Sequence, residues 1–266
     1  MPEVTVDHNL NLYYEIYGQG DPIVFIHGFA VDHLVFSGLT NYLQSGYQLV
    51  LLDNRGSGQS DCPDSPYTVE TMAEDVAALC RTLNLERCHF IGHSLGGMIL
   101  QRLAYRHPKL VRSAILCNTE MKIDIRYAMT AKARLVFLQE HCSPRALIEN
   151  GMGWTFSSSF LERPGMIEDI ISLRLANPFP ITETGYQHQL HALLNFNSKD
   201  WVDQINVPCL VTGSDQDIIM RELNVKELAK KIANAKYHSF KGVGHAPFIE
   251  QPELFCKVLK AFFKQH

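Results

Sequence analysis

The chain has 266 residues, of which 46% are hydrophobic and 20% are charged, and its formal net charge is −4. This length and composition suit a globular protein with one well-buried core and, at most, an inserted subdomain. The small negative charge gives no reason to expect a nucleic acid or a membrane surface as a partner.

The N-terminal residues and the cysteines indicate the cellular compartment of the protein. Residues 1–7 contain no basic stretch followed by an apolar run, so no export signal is predicted. No apolar run approaches the roughly 18 residues that a membrane-spanning helix needs. The seven cysteines are odd in number and include no C-x-x-C pair, which favours reduced thiols used as small core side chains. These observations predict a cytoplasmic protein.

Several segments of the sequence have the pattern of β-strands. Residues 4–7 and 12–17, separated by turn residues at 7–9, predict an antiparallel hairpin. The other segments are short apolar runs bounded by turn or helix signals, which is typical of buried parallel strands. They are residues 23–26, 48–52, 89–91, 113–118, 209–212 and 236–240.

Helices are predicted between these strands from apolar residues at helical spacing and from capping residues. Thr68 is expected to cap one helix at its N-terminus, and Pro108 to stop another. The predicted helices cover residues 33–45, 69–83, 95–107 and 221–232, and a final segment that begins at residue 252.

The alternation of strand and helix breaks over residues 121–199, where amphipathic segments rich in aromatic residues replace it. We therefore predict an α/β fold in which a mostly parallel eight-stranded sheet is flanked by helices. The expected division is a core formed by residues 1–120 and 200–266, with a helical cap formed by residues 121–199. Ligands of such sheets bind at the carboxyl ends of the strands.

One motif with a chemical meaning lies between a predicted strand and a predicted helix. It is Gly92-His93-Ser94-Leu95-Gly96, a G-x-S-x-G turn with a strand before it and a helix after it. A serine at the tip of so sharp a turn sits in strained backbone, and side chains two residues before and after it would collide across the turn. The motif predicts Ser94 as a nucleophile.

A serine nucleophile needs a base, and the base needs a carboxylate that fixes its tautomer. His245 is the best candidate for the base, because it lies in a glycine-flanked loop just after the last predicted strand. Asp217 and Asp215 both follow the preceding strand. We favour Asp217, which lies deeper in its loop, and keep Asp215 as the alternative; one of the two could simply cap the turn.

With these residues the chain resembles an α/β-hydrolase, which orders its triad as serine, acid and histidine. The motifs that carry the resemblance are residues 25–29, 53–60, 92–97, 213–217 and 244–249. The resemblance implies an oxyanion hole formed by the backbone N–H groups of Phe29 and Leu95, and no cofactor. It also implies structural rather than catalytic roles for His27 and for the turn at residues 53–58.

Residue identities narrow the family further. Ser94 stands where epoxide hydrolases and haloalkane dehalogenases have a carboxylate, and residues 27–30 depart from the stretch typical of proline iminopeptidases. We therefore predict a serine hydrolase of carboxylic esters that works through an acyl-enzyme. Residues 245–249 resemble pimeloyl-acyl carrier protein methyl ester esterases, and the turn at Ser94 resembles 3-oxoadipate enol-lactonases. An enol-lactonase, a cofactor-free perhydrolase and a non-catalytic ligand receptor remain alternatives.

The cap segment bears on the substrate. Trp154 and Phe156 are expected to line an apolar acyl pocket with Phe29 and Leu95, although such side chains also suit the core of the cap itself. Residues 121–145 contain five Lys or Arg and two acids, which would attract an acidic acyl carrier protein or could equally be a solvated helix face. His188 and His191 have no third ligand nearby in the sequence, so no metal site is expected.

Overall fold

The computed structural model describes residues 3–6 and 9–266 and contains an eight-stranded sheet. The strand order across the sheet is β1-β2-β4-β3-β5-β6-β7-β8. The strands are β1 (Glu3–Val6), β2 (Leu10–Tyr17), β3 (Asp21–Ile26), β4 (Tyr47–Leu52), β5 (Cys88–His93), β6 (Val111–Cys117), β7 (Cys209–Ser214) and β8 (Ala235–Phe240).

The sheet is antiparallel at one edge and parallel elsewhere. β1 pairs with β2 and β2 with β4 in antiparallel register, and the pairs from β4 through β8 are parallel. The predicted hairpin and the predicted mostly parallel sheet are therefore confirmed. Of the turn expected at 7–9, residues 7 and 8 lie outside the described residues.

Helices flank the sheet and fill the connection between β6 and β7. They are α1 (Thr40–Leu43), α2 (Val69–Thr82), α3 (Leu95–Arg106), α4 (Ile125–Gln139), α5 (Pro144–Thr155), α6 (Ser158–Leu161), α7 (Met166–Leu175), α8 (Glu183–Asn195), α9 (Glu222–Lys231), α10 (Pro247–Glu250) and α11 (Pro252–Phe263). Thr68 caps α2 as expected, in a capping box with Thr71.

The two faces of the sheet carry separate hydrophobic cores because side chains alternate along each strand. In β3, Val24 and Ile26 join the core that contains α2, α3 and α9, whereas Ile23 and Phe25 join the core that contains α11. Burial on both faces explains why this strand is a continuous apolar run in the sequence.

The helix predicted over residues 33–45 is wrong as a single α-helix. The chain forms a 3₁₀ helix over His33–Leu39 and only then the short α1. The Ser37 and Thr40 hydroxyls each bond the carbonyl three residues back, at 2.8 and 2.7 Å, which matches the tighter 3₁₀ spacing. Gly38 further weakens the α-helical preference of this segment.

The connection between β6 and β7 contains the five helices α4 to α8, and we call residues 125–195 the helical segment. Helix α4 buries only Ala128 and Ala131, so it presents a small contact face to its neighbours. α4 contacts α8, and α5 contacts α7. The boundaries proposed for a cap, residues 121 and 199, stay a prediction.

Within residues 3–6 and 9–266, no helix is both long and apolar enough to cross a membrane. The compartment stays a prediction. All seven cysteines are free thiols in the structure, and five of them, Cys80, Cys88, Cys117, Cys209 and Cys256, are buried.

Candidate active site

Ser94 lies at the turn between β5 and α3, with φ 55° and ψ −117°. This left-handed backbone is unfavourable for a residue with a side chain and costs about 1–3 kcal/mol. Surrounding hydrogen bonds hold it: the Ser94 amide donates to the Cys117 carbonyl at 3.0 Å, and the Thr119 hydroxyl donates to the Ser94 carbonyl at 2.8 Å. The turn therefore fixes the direction in which the serine side chain leaves the sheet.

The two glycines of the turn are needed for different reasons. A Cβ on Gly92 would lie 2.4 Å from the Gly96 carbonyl oxygen, a collision across the turn as the sequence suggests. A Cβ on Gly96 would lie 2.0 Å from the Ile26 carbonyl oxygen, so this glycine lets α3 approach the neighbouring strand β3. The second collision is therefore with the sheet and not with the turn.

Asp217 and His245, from the loops after β7 and β8, meet at the same edge of the sheet. His245 Nδ1 donates to Asp217 Oδ2 at 2.7 Å, and both side chains are buried. Asp217 Oδ2 also accepts from Asn118 Nδ2 at 2.8 Å, and Oδ1 accepts from the Ile219 and Met220 amides at 2.8 and 2.9 Å. The carboxylate is thus held in one orientation, and its bond to Nδ1 leaves His245 Nε2 as the basic nitrogen.

Asp215, the alternative carboxylate, faces another direction. Its Oδ1 accepts from the Gly242 amide at 2.8 Å, and its Oδ2 lies 3.8 Å from Lys241 Nζ. It therefore ties the β7 loop to the loop that follows β8, while Asp217 is the carboxylate placed against His245.

His93 connects Ser94 to His245, and sequence reasoning missed it. Its Nε2 donates to the His245 carbonyl at 2.9 Å, and the two imidazole ring centroids are 4.5 Å apart. Burial, together with the nearby charge of His245, lowers the pKa of His93 well below its usual range, so the ring is neutral. Among the described residues, no hydrogen bond joins the Ser94 hydroxyl to the His245 ring.

The backbone N–H groups of Phe29 and Leu95 both lack an acceptor. Neither amide donates a hydrogen bond to a described residue, which is unusual for buried backbone. Leu95 is the first residue of α3, where helix geometry leaves the amide free. The Phe29 ring packs against Tyr186, with centroids 4.5 Å apart.

The turn at residues 53–58 and His27 lie behind the site and are held by their own hydrogen bonds. His27 Nε2 accepts from the Asn54 amide at 3.0 Å. Burial lowers the pKa of His27. Arg55 makes a two-pronged ion pair with Asp75, at 2.5 and 2.6 Å. These contacts give His27 and the turn at residues 53–58 a structural role.

The loop that carries His245 is tied to the helical segment, which sequence reasoning also missed. The His245 amide donates to the Thr155 carbonyl at 2.7 Å. The buried Glu250 carboxylate accepts from the Ser157 amide and hydroxyl and, at 2.9 Å, from the Gly244 amide. Thr155 is the last residue of α5 and Ser157 caps α6, so these contacts tie the histidine loop to the helical segment.

A cavity of about 390 Å³ lies between the loop after β3 and the helical segment. Its volume falls in the usual range for small-molecule sites. Phe29, Trp154 and Phe156 line it, whereas Leu95 is not among its lining residues. The cavity also reaches the site through Thr155 and through Ile219, whose amide donates to Asp217.

The five Lys and Arg side chains of residues 121–145 differ in their surroundings. Arg126 pairs with Asp124, and Arg145 pairs with Glu149 and Glu168. Lys122 and Lys132 are exposed. Arg134 lines the cavity instead. An acyl carrier protein as partner stays a prediction.

The two histidines of α8 are engaged with the rest of the chain. His188 Nε2 lies 3.2 Å from Asp64, and His191 Nδ1 donates to the Tyr67 carbonyl at 2.9 Å. Their rings therefore contribute to the packing of α8 on the loop before α2.

With this fold and this geometry the chain belongs to the α/β-hydrolase family: the family model described as alpha/beta hydrolase fold matches residues 21–252. It is 31% identical over 264 residues to the Mycobacterium tuberculosis protein named "Putative non-heme bromoperoxidase BpoC", with 96% of this chain and 98% of that protein covered. It is 27% identical over 256 residues to 3-oxoadipate enol-lactonase 2 of Acinetobacter baylyi, with coverage of 96% and 93%.

The crystal structure of the enol-lactonase from Burkholderia xenovorans superposes with a TM-score of 0.89 at 26% identity, covering 99% of this chain and all of the other. The family resemblance seen in the sequence is thus confirmed.

Proposed function

We propose that this hydrolase cleaves carboxylic esters with Ser94 as nucleophile, His245 as base and Asp217 as the acid that orients the base. The observation that carries the proposal is the 2.7 Å hydrogen bond between Asp217 and His245, at the sheet edge where the strained turn presents Ser94. In the absence of substrate, the hydroxyl–imidazole contact of such sites is often long and shortens on binding.

The proposed reaction has two halves. His245 Nε2 takes the Ser94 proton as the oxygen attacks the ester carbonyl, and then gives that proton to the leaving alcohol. Water enters, loses a proton to the same nitrogen, and attacks the acyl-enzyme; the imidazolium then returns the proton to the Ser94 oxygen as the acid leaves. Asp217 stabilises the imidazolium that forms in each half.

The unpartnered amides of Phe29 and Leu95 support an oxyanion hole. Negative charge develops on the carbonyl oxygen in each transition state, and fixed N–H donors stabilise it without reorganisation. Loss of one such donor typically costs about 3 kcal/mol of transition-state stabilisation. Because both donors belong to the main chain, substitution of the Phe29 side chain would act through shape.

The test is the hydrolysis of an activated short-chain ester such as 4-nitrophenyl butyrate. We expect a burst of nitrophenol followed by slower turnover, and labelling of one serine by a fluorophosphonate probe. The Ser94→Ala variant is expected to lose both the burst and the label, and to lower kcat by about 10⁴-fold or more. Ser172→Ala, which removes an exposed hydroxyl in α7, is the matched control and should leave both unchanged.

Undiminished turnover by Ser94→Ala would falsify the assignment of the nucleophile. A labelled serine that completes only a single slow turnover with every ester would favour a ligand receptor on the same scaffold.

Lactones are the second candidate substrates. The observation in their favour is the match along the whole chain to a solved enol-lactonase. The chemistry needs the same residues, with the alcohol remaining attached to the acyl group after ring opening. Turnover of a five-membered lactone more efficiently than any open-chain ester would favour this candidate.

A further inference from the structure

The cavity beside the candidate site is largely apolar but contains two arginines. Arg134 enters it from α4 and Arg174 from α7. Neither guanidinium forms a hydrogen bond or an ion pair with any residue in the described part of the chain. Arg126, on the same helix as Arg134, differs from it in pairing with Asp124.

Unpaired guanidinium groups inside an apolar cavity are unfavourable without a counter-ion. Burial lowers the pKa of Arg174, and the positive charge of Arg134 acts in the same direction, so the two groups repel each other. Asp32 is the acid that faces Arg174. Its carboxylate, however, already accepts hydrogen bonds from the Leu34 amide and the Asn177 side chain. Asp32 also lines the cavity, so one negative charge stands against two positive charges and the lining keeps one excess positive charge.

The arginines and Phe29 line the same cavity, and two tyrosines connect the arginines to the candidate site. Tyr186 packs on Phe29, and its hydroxyl donates to the Ala131 carbonyl in α4. Tyr127 lines the cavity and interacts electrostatically with both Arg134 and Asp217. A ligand in this cavity can therefore place its carbonyl group near Phe29 and another group at the guanidinium groups.

We propose that the substrate carries a carboxylate, which Arg134 and Arg174 bind while its ester or lactone carbonyl reaches Ser94. This inference rests on the proposed function and specifies its substrate class. Guanidinium groups bind carboxylates through paired N–H donors, and such bonds are strong where water is excluded. The apolar walls then accept the carbon chain between the two ends.

The first experiment compares the monomethyl and dimethyl esters of glutaric, adipic and pimelic acids. Each pair differs in one carboxylate and covers a range of spans between the carbonyl and the charge. We expect kcat/KM for at least one monoester to exceed that for its diester by roughly tenfold. The Arg134→Gln and Arg174→Gln variants should lower monoester turnover by roughly 10- to 100-fold and change diester turnover by less than about threefold.

Lys132→Gln is the matched control, since it removes a positive charge from the exposed side of the same helix as Arg134. We expect it to leave the preference unchanged. Equal or better turnover of all three diesters, or a loss in the arginine variants that is the same for both members of a pair, would overturn the proposal.

The second experiment measures binding without turnover, so that it stands even if esters are not the substrate. In the Ser94→Ala background, calorimetry with monomethyl adipate should give a Kd about tenfold lower than in Ser94→Ala/Arg134→Gln. Equal affinities would refute the anion site. A Ser94→Ala protein that still hydrolyses the monoester, yet loses affinity with Arg134→Gln, would refute the proposed nucleophile and leave the anion site in place.

Discussion

At the sheet edge, the Asp217 carboxylate accepts hydrogen bonds from four N–H groups of the chain itself. In the neighbouring cavity, the guanidinium groups of Arg134 and Arg174 have no hydrogen-bond partner among the described residues. The first region is complete before any ligand arrives. The second is complete only when a ligand supplies the missing charge.

This difference follows from what each region has to do. Groups that stabilise a transition state are effective when their orientation is fixed in advance. Groups that select a substrate gain most when their partner is present only in that substrate, because an unpaired buried charge penalises every other ligand. Variants of each region should therefore fail in different ways.

The largest effect is expected from Asp217→Asn. The Ile219 and Met220 amides hold the oxygen of the new side chain at the Oδ1 position, so its NH₂ group faces His245 Nδ1 and favours the wrong tautomer. The neutral amide also no longer stabilises the imidazolium. We expect kcat to fall by about 10⁴-fold on every ester. Asp215→Asn is the matched control and should change kcat by less than about threefold, because Asp215 faces Gly242 and Lys241. Comparable losses in both variants would contradict the assignment of the acid.

A smaller effect is expected from Glu250→Gln, which weakens the connection between the loop that carries His245 and the helical segment. The Ser157 and Gly244 amides both donate to Oε1, and these bonds weaken when the carboxylate charge is removed. The Ser157 hydroxyl, which donates to Oε2, would have to turn and accept from the amide nitrogen instead. We expect a loss of about 2 kcal/mol in the free energy of unfolding, measured by urea denaturation. We also expect kcat to fall by roughly 10-fold, because the loop that carries His245 loosens.

The exposed Glu253, three residues further on, provides the control. Glu253→Gln should change the free energy of unfolding by less than about 0.5 kcal/mol and should leave kcat unchanged. An unchanged kcat in Glu250→Gln would show that the helical segment does not position the base.

The smallest effect concerns Glu120, where the helical segment leaves the sheet. Burial raises the pKa of Glu120 to about 7, although its carboxylate accepts from the Asp124 amide and from Asn224. In the unfolded chain the same group ionises near pH 4.5. Between these values the folded state holds a proton that the unfolded state has lost, so stability falls as pH rises through this window.

We therefore expect Glu120→Gln to match the unmodified protein in stability at pH 4.5 and to exceed it by about 2 kcal/mol at pH 8. Denaturation curves at the two pH values measure the difference. A stability difference that does not change with pH would refute the raised pKa of this carboxyl group.

The sequence was most informative where local patterns decide the structure. Ser94 could be predicted because two glycines, a strand and a helix define its turn within a few residues. His245 and Asp217 could be placed near it because the ends of parallel strands meet at one edge. The choice between Asp217 and Asp215 was less certain, since it depends on which carboxylate the loop turns toward the imidazole.

The cavity with Arg134 and Arg174 could not be predicted in the same way. Arg134 seemed to belong to a basic surface, because periodicity shows which residues share a helix face but not what that face contacts. The approach of α4 and α7 is set by packing over long sequence separations. Within the helix predicted over residues 33–45, the 3₁₀ geometry of His33–Leu39 has a different cause, since side-chain hydroxyls there compete with the α-helical pattern.

The hydrogen bond from the His245 amide to the Thr155 carbonyl, with the Ser157–Glu250 contact beside it, has a consequence for protein engineering. Exchange of the helices between β6 and β7 for those of a relative is a natural way to change specificity in this scaffold. Here such a chimaera would also replace part of the support of His245, the proposed general base. Grafts that retain residues 155–157 of this chain, or that transplant residues 244–250 along with the helices, keep that support intact.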